Sequence, residues 1–385
     1  MRKFCKYHFD TLTLIGSLII ASILRIVVPF NMVFQNGRVV FNSVDAYYQL
    51  HFADLITAHF PQVSFFDPYL GSPFTNTPLF NLLLAWLGRL FGNLDVVAAY
   101  LPVILVLLTI VSVFVIAKTA FNNKWITSLS VLFIAILPGL FFNRTQLGAA
   151  DYHCLEIFLL TTMMMWTILF LKEKWIYLRV CYIGLAVCTF IFYYWAWMGC
   201  FVSIGIFTVF FYAWFTLLWA RKHFKIKHHI MLHGSVIAII LGLLIYSYIG
   251  KPYYDEPTQF QLLVRYGVDI FRWRFSLVAS EELPLLYLGQ ASGSGQLLDL
   301  RTVWGYFGFL FFFALTGLGM LIYRVQKYRQ PTEILLLVWT IVMLLLTLAM
   351  RRWAYYFAVN VAILSAYSCW AIGKALIIKK VVQVR

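Results

Sequence analysis

Val96–Ala117 reads VVAAYLPVILVLLTIVSVFVIA, without a single charged residue. As a helix, a run of about 20 such residues crosses the ~30 Å hydrocarbon core of a bilayer. Leu12–Phe30 and Ile230–Ile249 are similar in length and character. The whole chain follows suit: its 385 residues are 62% hydrophobic and 12% charged. Soluble domains run at roughly half apolar and a quarter charged. Length alone would suggest two or three domains. Here the spans consume it, so residues 1–385 read as a single transmembrane domain.

The apolar runs define about 10 spans by the ~20-residue criterion, at 12–30, 96–117, 125–142, 153–171, 175–194, 196–219, 230–249, 303–323, 334–350 and 353–373. The expected fold is all-α, a polytopic helical bundle with long outer loops. The first run follows Met1-Arg2-Lys3. It is too long for a signal-peptide core and no small-residue cleavage site follows it, so it reads as a retained span. None of the six cysteines forms a C-x-x-C pair and most fall in apolar runs. They read as small core residues, not as a zinc site or a disulfide framework.

The net charge of +15 does not point to nucleic acid, since no nucleic-acid module is recognisable. With both termini in the cytoplasm, the segments 2–10, 118–124, 172–179, 221–227, 324–333 and 374–385 lie inside. They hold about 19 of the 30 Lys and Arg, as the positive-inside bias requires. Arg221–Lys227 then flanks a span beside anionic headgroups. Of the 15 acids only Asp10, Glu173 and Glu333 fall inside. Most of the others cluster in the outer segments 31–95, 143–152 and 250–301, so the outer face carries an acidic site. The first outer loop, 31–95, contains an apolar stretch at 78–91 that is too short to span and reads as an interfacial helix. The late outer loop, 250–301, is long enough to be functional or mobile.

Three outer sites place acids beside span ends: Asp45, Asp151 with His153, and Glu281 with Glu282. Carboxylate oxygens suit Mg2+ or Mn2+, and an imidazole shifts the preference toward Mn2+. Glu156 lies within a span, where an ionisable group marks function or pairs with a basic residue.

The order and wording of these motifs resemble the catalytic subunit of oligosaccharyltransferase in its bacterial and archaeal single-subunit form. The resemblance runs through Asp45-Ala46-Tyr47-Tyr48-Gln49-Leu50, the long stretch Phe60–Gly71, Phe142-Asn143-Arg144-Thr145 and Asp151-Tyr152-His153. It continues in Tyr193–Gly199, Ser280-Glu281-Glu282-Leu283-Pro284 and Arg352-Trp353-Ala354-Tyr355-Tyr356. It implies a C-type glycosyltransferase architecture. It also implies transfer of a glycan from a polyprenyl phosphate or pyrophosphate to asparagine of a protein, on the outer face of the cell's inner or plasma membrane.

In that family's terms Asp45, Asp151 and His153 hold Mn2+ or Mg2+, and Arg352 with Arg351 contacts the lipid phosphate. Asp45 and Glu281 engage the acceptor amide, with Glu282 the fallback, and Arg144 orients a carboxylate. The donor lipid, an acceptor polypeptide and the bilayer are the implied partners, with an accessory subunit a further candidate. The chain departs from the family in having no Trp-Trp pair and no soluble outer domain after its last span, so it resembles a short form. A hydroxyl or lipid acceptor, a lipid-linked glycan transporter or flippase, and an inactive copy remain as alternatives.

Overall fold

The computed structural model of the chain describes residues 9–59, 65–67, 72–74, 79–220, 285–289, 295–297 and 300–383. Among the described residues six helices are long and apolar enough to cross a membrane: Phe9–Val33, Leu94–Phe121, His153–Lys172, Ile176–Ala196, Pro331–Ala349 and Arg351–Ile377. Arg301–Phe307 and Leu310–Tyr328 make a seventh if counted as one span bent by 85°.

Two of the remaining expected spans are interrupted by breaks written in the chain. The helix expected at 125–142 runs only over Lys124–Ile136. Pro138 follows; it holds Leu137 out of the helical region, at ψ 126°, as a residue preceding proline must be. Gly139 then turns with φ +76°, and a Cβ there would come within 2.4 Å of the Tyr306 backbone, so only glycine fits. The span expected at 196–219 breaks at Trp197, which is extended, and resumes as Phe201–Trp214. The seventh expected span, 230–249, lies outside the described residues.

Local chemistry sets the other boundaries. Asn93 caps the start of Leu94–Phe121 by accepting from the Val96 N–H at 3.0 Å. Asn122 ends that helix in the left-handed region, at φ 47°, which asparagine tolerates. Asn123 caps the next helix through the N–H groups of Trp125 and Ile126.

The helices divide between two compact units. The first draws on residues 1–203, 303–321 and 355–385. In it His153–Lys172 packs between Leu94–Phe121 and Ile176–Ala196, and the first span packs on Lys124–Ile136. The stretch expected as an interfacial helix is helical over Leu79–Phe91. It buries Phe80, Asn81 and Leu84 while leaving Trp86, Leu90 and Phe91 exposed. Asn81 ties it to Val44–His59 by donating to the Gln49 carbonyl and side chain. Within this unit the last helix stacks Tyr367 on Phe121 and closes tightly on Gly317 at Leu364.

The second unit draws on residues 204–302 and 322–354. Buried Glu333 accepts from Arg324 Nε at 2.6 Å. The described part of the segment 250–301 includes a short hairpin, Tyr287–Gly289 with Gly295–Leu297. No described cysteine forms a disulfide; Cys154 and Cys200 are buried, whereas Cys181 and Cys188 are exposed.

Candidate active site

The site is built on the connection between Ile136 and His153, which three neighbours in the first unit pin down. The first is Arg25, in a π-helical turn of the first span, Ile23–Val27. Such turns displace a side chain from the regular helical ladder. Arg25 is 0% exposed. Its Nε donates to Thr145 Oγ1 at 3.0 Å and its Nη1 to the Ala135 carbonyl at 2.7 Å. Ala135 belongs to the last turn of its helix, whose carbonyls need an outside partner. The guanidinium also lies 4.9 Å from the ring centre of Phe142 and 5.7 Å from that of Phe141, a cation–π arrangement. The Arg25 carbonyl accepts from Leu147 N–H at 2.9 Å. The second neighbour is Asn42, whose Nδ2 donates to the Leu147 carbonyl at 2.9 Å and whose backbone N–H donates to Gly148 at 3.2 Å. The third is Ala99, whose carbonyl accepts from Gly148 N–H at 3.0 Å.

At the end of this loop Asp151 is 3% exposed. Arg144 Nη1 donates to its Oδ2, and His153 Nε2 lies 3.6 Å from the same oxygen. Asp151 Oδ1 is buried without a partner. Burial pushes this carboxyl above the ordinary carboxylate range. His153 and Arg144 pull it back, and the negative charges of Glu156 and Asp45 add to the rise. An orphaned, charged oxygen beside an imidazole is costly unless something binds it.

Behind His153 stands Glu156, 0% exposed. Its Oε2 lies 3.0 Å from His153 Nδ1 and accepts from the hydroxyls of Tyr355 at 3.1 Å and Tyr356 at 2.6 Å. Tyr193, in turn, donates to the Tyr356 hydroxyl at 3.3 Å. Trp197 stacks on Tyr356 with ring centres 6.2 Å apart; Gly199, having no side chain, leaves room for that indole.

Asp45 is exposed in the first turn of Val44–His59, just after Ser43, whose Oγ accepts from Ala46 N–H at 3.4 Å. It is near enough for its charge to act on Asp151, and the Asn42 ties explain why: they hold the start of this helix against the loop that carries Asp151. The structure thus brings Asp151, His153 and Arg144 together, and Asp45 reaches Asp151 only through its charge. Among the described residues no three His, Cys, Asp or Glu side chains form a group that could hold a metal ion. Arg351 and Arg352 are half-buried in a short 3-10 turn, Arg351–Trp353, that precedes the last helix. Glu281 and Glu282 lie outside the described residues.

Sequence reading missed Arg25, although a charge within an apolar span was the signal that could have found it. It also missed Asn42, for which no signal exists. Glu156 was open to pairing with a basic residue; its partners are an imidazole and two phenol hydroxyls.

No family model matches the chain. Dolichyl-phosphooligosaccharide-protein glycotransferase 3 of Archaeoglobus fulgidus is 24% identical over 94% of this chain and 50% of its own. Glycotransferase 1 of the same organism is 32% identical over 34% of this chain and 22% of its own. The crystal structure of the Archaeoglobus fulgidus oligosaccharyltransferase in the apo form superposes with a TM-score of 0.75 at 22% identity, covering 98% of this chain and 52% of that one. The same enzyme's complex with Zn and sulfate gives 0.68 at 24% identity, covering 94% and 49%. The chain thus spans about half the length of glycotransferase 3 and of the solved oligosaccharyltransferase; over that half it is similar in sequence to the first and has the fold of the second.

Proposed function

We propose that this chain is a membrane glycosyltransferase of the oligosaccharyltransferase kind. It moves a glycan from a polyprenyl phosphate or pyrophosphate to the side-chain nitrogen of asparagine in a protein, on the outer face of the membrane. The observation that supports it best is the buried Asp151 carboxylate, with Arg144 on one oxygen, no partner on the other and His153 alongside.

That donor set suits a hard or borderline divalent cation, Mn2+ or Mg2+, held by Asp151 Oδ1 and His153 Nε2 with Asp45 as the further ligand. A cation there would supply Lewis-acid neutralisation of the departing phosphate. The related enzyme solved with Zn and sulfate and the one solved with an inhibitory peptide and a dolichol-phosphate fit the same reading.

The chain's own residues have separable tasks. Arg144, on Asp151 Oδ2, orients that carboxyl group. Arg352, with Arg351, presents guanidinium donors to the lipid phosphate, a charge-assisted contact. Asp45 and Glu281 accept the two N–H groups of the acceptor amide. An amide nitrogen is a poor nucleophile because its lone pair is delocalised into the carbonyl, and gripping both hydrogens weakens that delocalisation. The nitrogen then bonds to the anomeric carbon as the bond from that carbon to the phosphate oxygen breaks. The phosphate leaves with the electron pair, and the nitrogen gives one proton to a carboxylate.

The test is a transfer assay in membranes containing the full chain, with pooled lipid-linked glycans, a peptide bearing Asn-x-Ser/Thr, and Mn2+. Metal-dependent peptide glycosylation that disappears in Asp151→Ala is the expected result. Metal-dependent loss of glycan from the lipid without peptide product would replace asparagine by another acceptor. No turnover by folded protein would overturn the reading.

A further inference from the structure

A neutral imidazole carries one N–H and one lone pair, and which nitrogen holds which is decided by the partners around the ring. At His153 those partners are unequal. Nδ1 lies 3.0 Å from Glu156 Oε2 and 3.0 Å from the Tyr355 hydroxyl. Glu156 Oε2 already accepts from the hydroxyls of Tyr355 and Tyr356, so it acts as an acceptor in this cluster. A lone pair on Nδ1 would face it lone pair to lone pair. A hydrogen on Nδ1 gives a bond instead and leaves the lone pair on Nε2, the nitrogen 3.6 Å from Asp151 Oδ2.

Glu156 has no other evident employment. It is 0% exposed within a membrane-spanning helix, where an ionisable group is expensive. Its other oxygen, Oε1, is buried without a partner. Three side chains from two helices, His153–Lys172 and the helix of Tyr355 and Tyr356, converge on Oε2 alone.

We infer that Glu156 is a positioning residue. It locks His153 in the Nδ1–H tautomer, so that the Nε2 lone pair is presented toward Asp151 as a ligand for a divalent cation. The tautomer follows from the geometry alone; the use of Nε2 as a ligand rests on the metal-site reading above. Carboxylate–histidine–metal relays of this form orient the ring and raise its basicity, and loss of the outer carboxylate typically weakens metal affinity about 10–100-fold.

The experiment uses the full chain in bilayers, metal-free, with 15N-labelled histidine at mildly alkaline pH. The His153 resonances are assigned by their loss in His153→Asn. Wild-type protein is expected to show Nδ1 protonated and Nε2 bare. In Glu156→Leu the Tyr355 hydroxyl, already at Nδ1, donates to it, and the tautomer inverts to Nε2–H. Finding Nε2–H in the wild-type protein overturns the inference without recourse to any variant. An unchanged tautomer in Glu156→Leu also overturns it, whereas a residue that only filled space would lower thermal stability without moving the tautomer.

Calorimetric titration with Mn2+ then reads the consequence: affinity about 10–100-fold weaker in Glu156→Leu. Unchanged affinity there, with wild-type protein binding Mn2+, overturns the positioning role. If wild-type protein binds no Mn2+ the metal reading fails, and the tautomer measurement still decides whether Glu156 orients His153.

Discussion

Arg25 and Glu156 are both 0% exposed, both lie in membrane-spanning helices of the same unit, and neither has a full countercharge of the usual kind. They are satisfied in opposite ways. Arg25 donates to a backbone carbonyl and to a hydroxyl, and lies against two phenylalanine rings; one of its nitrogens, Nη2, has no partner. Glu156 collects two tyrosine hydroxyls and an imidazole on one oxygen. Arg25 therefore holds main chain, fixing the loop on which Arg144 and Asp151 sit. Glu156 holds side chains, fixing the ring of His153. Buried charges contribute little net stability; what these two contribute is the placement of a loop in one case and of a ring in the other.

The difference is breakable by substitution. Glu156→Leu removes the common acceptor of three donor groups inside the membrane. Tyr355 then turns to His153 Nδ1, but the Tyr356 hydroxyl loses this acceptor; stranding a buried polar group costs about 1–3 kcal/mol, so the loss is about 2–3 kcal/mol, read as a drop in thermal unfolding temperature in detergent. Arg25→Met is milder. It exposes one need, the Ala135 carbonyl, but removes a guanidinium that is already incompletely satisfied. Thr145 loses little, because its hydroxyl continues to donate to the Phe141 carbonyl at 2.7 Å. Exchanging a buried charge for an apolar side chain of similar size is often close to neutral, so the change is about 1–2 kcal/mol. In the transfer assay the same variant should lose about tenfold, since small misplacements of reacting groups are amplified in rate. Equal destabilisation by the two substitutions would erase the distinction between scaffold charge and side-chain charge.

Asn42→Ala sharpens the comparison, because Asn42 serves the same loop as Arg25 without any charge. Its backbone bond to Gly148 survives the substitution, and only the side-chain bond to the Leu147 carbonyl is lost. Asn42 is exposed, so water takes up the carbonyl and the cost falls near the low end of about 0.5–1.5 kcal/mol. The clearer readout is coupling between the two sites: with Asn42 gone, the start of Val44–His59 loosens. Asp45→Asn and Asp151→Asn should then affect Mn2+ binding more independently than in the wild-type background, as a double-mutant cycle would measure.

These contacts also divide what was legible in the chain from what was not. Apolar runs locate the spans because the bilayer demands about 20 residues of them. Pro138 and Trp197 broke two of those runs, through a backbone restriction and an extended residue that hydropathy does not register. Asp151 and His153 were legible because they lie two residues apart at a span end. Glu156 was visible as an intramembrane acid, but its partners Tyr355 and Tyr356 are some 200 residues away in the chain, and no local period points to them. Arg25 was visible as a charge in an apolar run. Its task depends on Thr145 and Ala135, more than 100 residues on, and only the fold brings them together.

An exposed acid in the same unit supplies the contrast with both buried charges. Asp54 lies on Val44–His59, exposed by area yet crowded by its neighbours. Partial burial is the first cause that raises its carboxyl above the ordinary value of 3.8; the like charge of Asp95 is the second, and His51 pulls the other way. A carboxyl raised on folding favours the folded state most below its unfolded value and loses that contribution as the pH climbs through the folded one. At neutral pH, then, the Asp54 charge is a small net burden, screened because the group is exposed. Asp54→Asn should unfold at a slightly higher temperature than the wild-type protein at neutral pH. The advantage should shrink as the pH falls through the raised value and vanish below 3.8. It should leave Mn2+ affinity unchanged, because Asp54 holds neither the loop nor the ring. A stabilisation that persisted at low pH would mean the substitution acts through something other than charge. A loss of Mn2+ affinity would extend the set of site-building acids beyond the two ways of anchoring that Arg25 and Glu156 represent.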